Sequence, residues 1–295
     1  MPRITLNGTD FNYSFAGPEH GRLIILLHGG RGFGDHRSDF RAYQPLAGEY
    51  RILGFDFRGH GHSSCTPPYT FKQLVDDIEA FRQHFAGEEE AVIAGGSFGG
   101  YLAQQVGSHM SYMIAEADLL IKYAITYPEK VSHLILRGTA PSHHHEAEAL
   151  STFEARLHKA PNASIEMVHK VFSAFEDDEE FRLIIFALKP LYVETYDANA
   201  GLKSLRNTAF RAETHNELYS EQEKYFDYRN DLHRVTAKTL IIVGDQDWIC
   251  PPSQSQIIAD RIPHSRLLVI AGANHSVQHE KNADFLKAVK ELLEG

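Results

Sequence analysis

An α/β fold, a mostly parallel sheet flanked by helices, is what this sequence of 295 residues predicts, and three observations predict it. Six short aliphatic and β-branched runs recur along the chain. Their hydrophobicity is nearly continuous rather than alternating, as in strands covered on both faces. Stretches of helical spacing lie between them, and several runs end in glycine plus a polar residue, where an open α/β sheet displays its chemistry.

The runs are RLIILLHGG (22–30), RILGFDFRG (51–59), AVIAGGS (91–97), VSHLILRGTA (131–140), KTLIIVGDQD (238–247) and SRLLVIAGANH (265–275). Helical spacing marks DFRAYQPLAGEY (39–50), TFKQLVDDIEAFRQHF (70–85) and NADFLKAVKELL (282–293). Ahead of the first run, 3–6 and 11–16 fit an antiparallel edge hairpin. From Pro141 to about Leu232 the alternation stops and the chain reads as helical. That stretch holds 17 acidic against 10 basic residues, which is −7 of the net −10. A helical excursion between two strands predicts a cap over the strand ends, on a core of 1–140 and 233–295.

The acidic balance argues against a nucleic-acid partner, and no polybasic patch suggests a membrane surface. Cys65 and Cys250 are the only cysteines, which suits a reducing compartment and offers neither a disulfide framework nor a zinc quartet. The first residues are too polar for a signal peptide, and the run Leu23 to Leu27 is far too short to span a bilayer. The expectation is a cytoplasmic protein without cofactor or metal, acting on a small molecule or short peptide, its oligomeric state left open.

Serine is a weak nucleophile that needs a base, an orienting acid and donors for the oxyanion. Candidates for each stand at strand ends. Ser97 sits in G-x-S-x-G after AVIAG, where glycines permit a sharp, strained turn. His28-Gly29-Gly30 closes the first run and can offer the Gly30 N–H to an oxyanion, with the Phe98 N–H as its partner. Asp245 and Asp247 end the fifth run, and His275 ends the sixth. The order Ser…Asp…His is the one described for hydrolases of this layout.

With these residues the chain resembles the α/β-hydrolases, and among them the proline iminopeptidase-like group. The resemblance rests on His28 to Gly32, Asp56 to Ser63, Gly95 to Gly100, Gly244 to Asp247 with Pro251, and Asn274 to Ser276. It covers the chain outside the cap. It implies Ser97 as nucleophile, His275 as base, Asp247 as its orienter through the spacing Gly-x-x-Asp, and the Gly30 and Phe98 amides as oxyanion hole. Arg31 departs from the pattern, because iminopeptidases of the group usually carry proline there.

Several residues have plainer readings. His264 and His279 fit solvated positions, and His60 and His62 a structural loop. Consecutive side chains do not converge on one ion, so His143-His144-His145 reads as a surface or substrate-facing run rather than a metal site. Glu176 to Glu180 fits a solvated loop or a helix start. An aminopeptidase must receive a free α-ammonium, and Glu213 and Glu217, four apart on one helical face, are the candidates.

The segment behind Ser97 is anomalous. Tyr127-Pro128-Glu129-Lys130-Val131 puts its proline 31 positions after Ser97, where the resemblance expects roughly 14. Removing Val106 to Lys122 restores one smooth amphipathic helix. A real elaboration and a cloning scar compete with a retained in-frame intron, which the codon possibilities at Val106 and Lys122 favour. Gly107 and Ser108 are poor helix formers, so a break is expected after about Gln105.

The expected activity is acyl transfer by a serine hydrolase, most simply an iminopeptidase-like aminopeptidase or amidase. An ester or lactone hydrolase is the close alternative, and a non-catalytic ligand sensor the distant one.

Overall fold

A computed structural model describes residues 2–107 and 128–295. Among these residues eight strands form one sheet: β1 (Arg3–Leu6), β2 (Thr9–Ala16), β3 (Leu23–Leu27), β4 (Arg51–Phe55), β5 (Ala91–Gly96), β6 (Val131–Arg137), β7 (Lys238–Gly244) and β8 (Ser265–Ile270). Their order across the sheet is β1-β2-β4-β3-β5-β6-β7-β8. β1 and β2 are the expected hairpin, and β2 runs antiparallel to β4. From β4 to β8 every pairing is parallel.

Eleven α-helices lie among the described residues. Three precede β6: α1 (Arg37–Tyr43), α2 (Phe71–Ala86) and α3 (Phe98–Gly107). Thr70 starts α2 by accepting from the Gln73 N–H, which satisfies one of the free amides of the first turn. Between β6 and β7 lie α4 (His145–Arg156), α5 (Ile165–Val171), α6 (Asp178–Leu188), α7 (Ala198–Arg206) and α8 (Ala212–Leu218). The acidic run begins α6, with Asp177 accepting from the Glu180 N–H at 2.8 Å. The chain closes with α9 (Pro252–Ala259), α10 (Val277–Glu280) and α11 (Asn282–Glu294).

Period-two alternation sorts the central strands into two cores. Ile25, Leu27, Leu53, Phe55, Ile93, Leu134 and Ile241 face one way, into a cluster with residues of α2, α3 and the β6–β7 excursion. Ile24, Leu26, Ile52, Val92, Ile135, Leu240 and Ile242 face the other, packing with Phe285 and Val289 of α11. Coverage on both faces is why these runs read as continuous.

The sixth run departs from that reading. Among the described residues β8 pairs only with β7, and its exposed positions include Val269 at 45 %. Strand position, which composition does not encode, makes the difference. The expected break after about Gln105 and the segment to Lys122 lie outside the described residues, save that α3 continues to Gly107. Among the described residues no helix is long and apolar enough to cross a membrane.

Candidate active site

β5 ends at Gly96, Ser97 turns, and α3 begins at Phe98. Ser97 has φ +52°, a left-handed conformation that a residue with a side chain adopts only under constraint. The constraint is visible. The Ser97 N–H donates to the Arg137 carbonyl at 2.9 Å, and the Ser97 carbonyl accepts from Gly100 N–H and Thr139 Oγ1, each at 2.9 Å. A Cβ on Gly95 would stand 2.2 Å from the Gly99 oxygen, and one on Gly99 2.1 Å from the Leu27 oxygen. Both outer glycines of the motif are therefore required by close backbone approach.

The His28-Gly29-Gly30 turn lies against this serine: a Cβ on Gly29 would be 3.1 Å from that of Ser97. Gly30 itself has φ +90°. His60 Nε2 accepts from the Gly32 N–H at 2.8 Å, and its Nδ1–H donates to the Arg58 carbonyl at 2.9 Å. Burial pushes the His60 imidazole down to about 3, so it holds the loop as a neutral ring. Beneath it, Asp56 accepts from His36 Nδ1 at 2.6 Å, Asn12 Nδ2 at 2.8 Å and the His62 N–H at 2.8 Å. Burial opposes its charge, but these bonds hold the carboxyl well below the usual range.

His275 Nδ1 lies 2.8 Å from Asp247 Oδ2. The other oxygen of Asp247 accepts from the amides of Ile249 (3.1 Å) and Cys250 (3.0 Å). Both side chains are nearly buried. With Nδ1 engaged, Nε2 is the ring nitrogen left to exchange a proton. The pair meets the serine turn through the end of β6. Arg137 accepts the Ser97 amide, and a Cβ on the next residue, Gly138, would be 2.8 Å from Asp247 Oδ2 and 3.3 Å from His275 Nδ1. The Tyr192 ring stacks edgewise on His275 at 5.6 Å.

The competing residues are engaged elsewhere. Asp245 is exposed and accepts from the Gly272 N–H. His279 Nε2 bonds Ser38 Oγ at 2.7 Å, and His264 is exposed. The histidine run diverges: His144 is exposed, while His145 is buried between Tyr101 Oη (3.0 Å) and the Ser142 carbonyl (2.9 Å). Among the described residues no three potential ligands cluster as a metal would need.

Glu213 and Glu217 do share one face of α8, as their spacing requires, but it is the exposed face; Ala212, Thr214, His215 and Leu218 are buried. Two other carboxylates, half-buried, feel the charge of Arg31. Burial raises Glu146 to about 7 and raises Glu223 as well, with Arg31 opposing both shifts. Sequence spacing gave no sign of these two, because they come from separate segments that only the tertiary fold brings near Arg31.

The profile of the alpha/beta hydrolase family matches residues 24–288. The chain is 54 % identical over 293 residues to a proline iminopeptidase, PfmaB, of Pestalotiopsis fici, covering 99 % of this chain and 98 % of that one. It is 28 % identical to a proline iminopeptidase of Xylella fastidiosa, over 93 % and 90 % of the two chains. Among solved structures, the esterase RhEst1 of Rhodococcus sp. superposes with a TM-score of 0.74 at 20 % identity, over 99 % and 98 %.

Proposed function

The chain belongs to the alpha/beta hydrolase family, and from that premise we propose a serine hydrolase that works by acyl transfer through Ser97, His275 and Asp247. His275 Nε2 takes the hydroxyl proton as Ser97 Oγ attacks the substrate carbonyl. Asp247 fixes the imidazole tautomer and stabilises the imidazolium. The Gly30 and Phe98 amides receive the oxyanion, the latter at the positive end of α3. The imidazolium protonates the leaving group, and water activated by the same ring hydrolyses the acyl-enzyme.

One observation carries this reading: a serine held at φ +52° beside a strand end against which the 2.8 Å His275–Asp247 pair packs. The names of the relatives favour an N-terminal proline amide or a similar small peptide as substrate. Residues 141–232 then serve as a cap. In this reading the α-ammonium goes to Glu146 and Glu223 rather than to the exposed Glu213 and Glu217.

A panel of proline p-nitroanilide, aryl esters and lactones tests it. Turnover of the proline anilide, abolished in Ser97→Ala, is the expected result. Turnover of esters or lactones alone would replace the aminopeptidase assignment, and turnover undiminished in Ser97→Ala would remove the mechanism.

A further inference from the structure

Arg31 stands where the resemblance expects proline, and it is 4 % exposed. Its guanidinium carbon lies 3.9 Å from the centroid of the Tyr219 ring and between 5.1 and 5.5 Å from those of Phe71, Phe98, Tyr101 and Phe226. Nη1 donates to the Leu218 carbonyl at 3.1 Å. Nε and Nη2 have no hydrogen-bond partner among the described residues. The charge of Arg31 is felt by Glu146 and Glu223, but among the described residues neither forms an ion pair with it.

Nε and Nη2 share one edge of the guanidinium, the edge whose parallel N–H bonds match the two oxygens of a carboxylate. Two other buried arginines have that edge closed by a carboxylate. Buried Arg58 meets Asp77 through Nε (2.5 Å) and Nη2 (2.7 Å), and buried Arg82 meets Glu79 through the same two atoms at 2.7 Å each. Aromatic faces offset part of the desolvation of a cation, but they do not replace in-plane acceptors. The location is equally specific: Arg31 follows Gly30 and lies against the ring of Phe98, the two residues assigned to the oxyanion.

We propose that Arg31 determines specificity by receiving a substrate carboxylate on its Nε–Nη2 edge. The preferred substrate is then a small acid, an amide or ester with a free carboxylate close to the bond cleaved. This inference rests on the hydrolase reading above and names its substrate class. A carboxylate bound among these rings is shielded from water, which strengthens the pairing.

Matched pairs differing only in that charge test it: prolyl-glycine against prolyl-glycinamide, and p-nitrophenyl hemisuccinate against p-nitrophenyl methyl succinate. The wild type is expected to favour the acid in at least one pair. Arg31→Met should lower the acid-to-neutral ratio of kcat/KM by about 100-fold, and Arg31→Lys by less. A ratio that Arg31→Met leaves unmoved while both rates fall together overturns the proposal, as does a wild type that prefers the neutral member of both pairs. Calorimetric titration of monomethyl succinate into Ser97→Ala protein reads the same site without turnover. Binding that Arg31→Lys weakens in that background supports the inference even if no substrate is hydrolysed, a failure that would fall on the hydrolase reading alone. Absence of saturable binding overturns the inference even if esters are hydrolysed.

Discussion

Asp247→Asn isolates the role of one hydrogen bond. Asp247 Oδ1 accepts two amides, from Ile249 and Cys250, so the asparagine carbonyl oxygen must occupy that position. The amide NH2 then falls where Oδ2 stands, 2.8 Å from His275 Nδ1. As a donor it forces Nδ1 to accept, and the ring proton moves to Nε2. The nitrogen that should take the serine proton is thereby blocked. The same tautomer reversal in a Ser-His-Asp protease lowers kcat by about 10⁴, or about 5 kcal/mol of transition-state stabilisation. A comparable loss in kcat is expected here, with KM little changed and the thermal transition close to wild type. Steady-state hydrolysis of an aryl ester, read beside a circular-dichroism melt, measures both. A loss below tenfold in protein that melts like wild type would refute the argument that Asp247 sets the tautomer.

Three further outcomes follow from the same geometry. Gly99→Ala places a Cβ 2.1 Å from the Leu27 backbone oxygen; it should destabilise the fold by roughly 2–4 kcal/mol in urea unfolding, since strand and helix must part. The depressed Asp56 carboxyl makes stability pH-dependent: its contribution is fully present above the ordinary carboxyl value of 3.8 and is lost as pH falls below that value towards the folded pKa. Urea midpoints from pH 6 to pH 3 should therefore fall less steeply in Asp56→Asn than in wild type. Deleting residues 106–122 joins Gln105 to Tyr123 in a continuous amphipathic pattern, and the shortened chain should melt higher and turn over faster; the transcript should also lack those codons.

Much of the sheet was legible because central strands buried on both faces leave unbroken aliphatic runs. Ile24 to Leu27 and Leu240 to Ile242 point alternately into two cores, and every one of them is buried. β8 carried a similar run yet lies at the edge, since composition records hydrophobicity but not the number of neighbours a strand has. The Ser97 turn was legible for a related reason: its glycines answer to backbone clashes that no other residue escapes.

Which residues of the β6–β7 excursion face the rest of the protein was not legible. A spacing of four places Glu213 and Glu217 on one face but cannot say which face meets the protein. His145 and Arg31 were visible only as oddities of type, and their burial depends on Tyr101, Tyr219 and Phe226, which come from distant segments. A site built from one residue per element has no signature within any single stretch of chain.

The central claim is that Ser97 is an activated nucleophile, and labelling by a fluorophosphonate with peptide mapping tests it most directly. The account predicts a covalent adduct on Ser97, absent from Ser97→Ala and strongly slowed in His275→Ala. Folded protein that takes no label, or takes it at another residue, would contradict it.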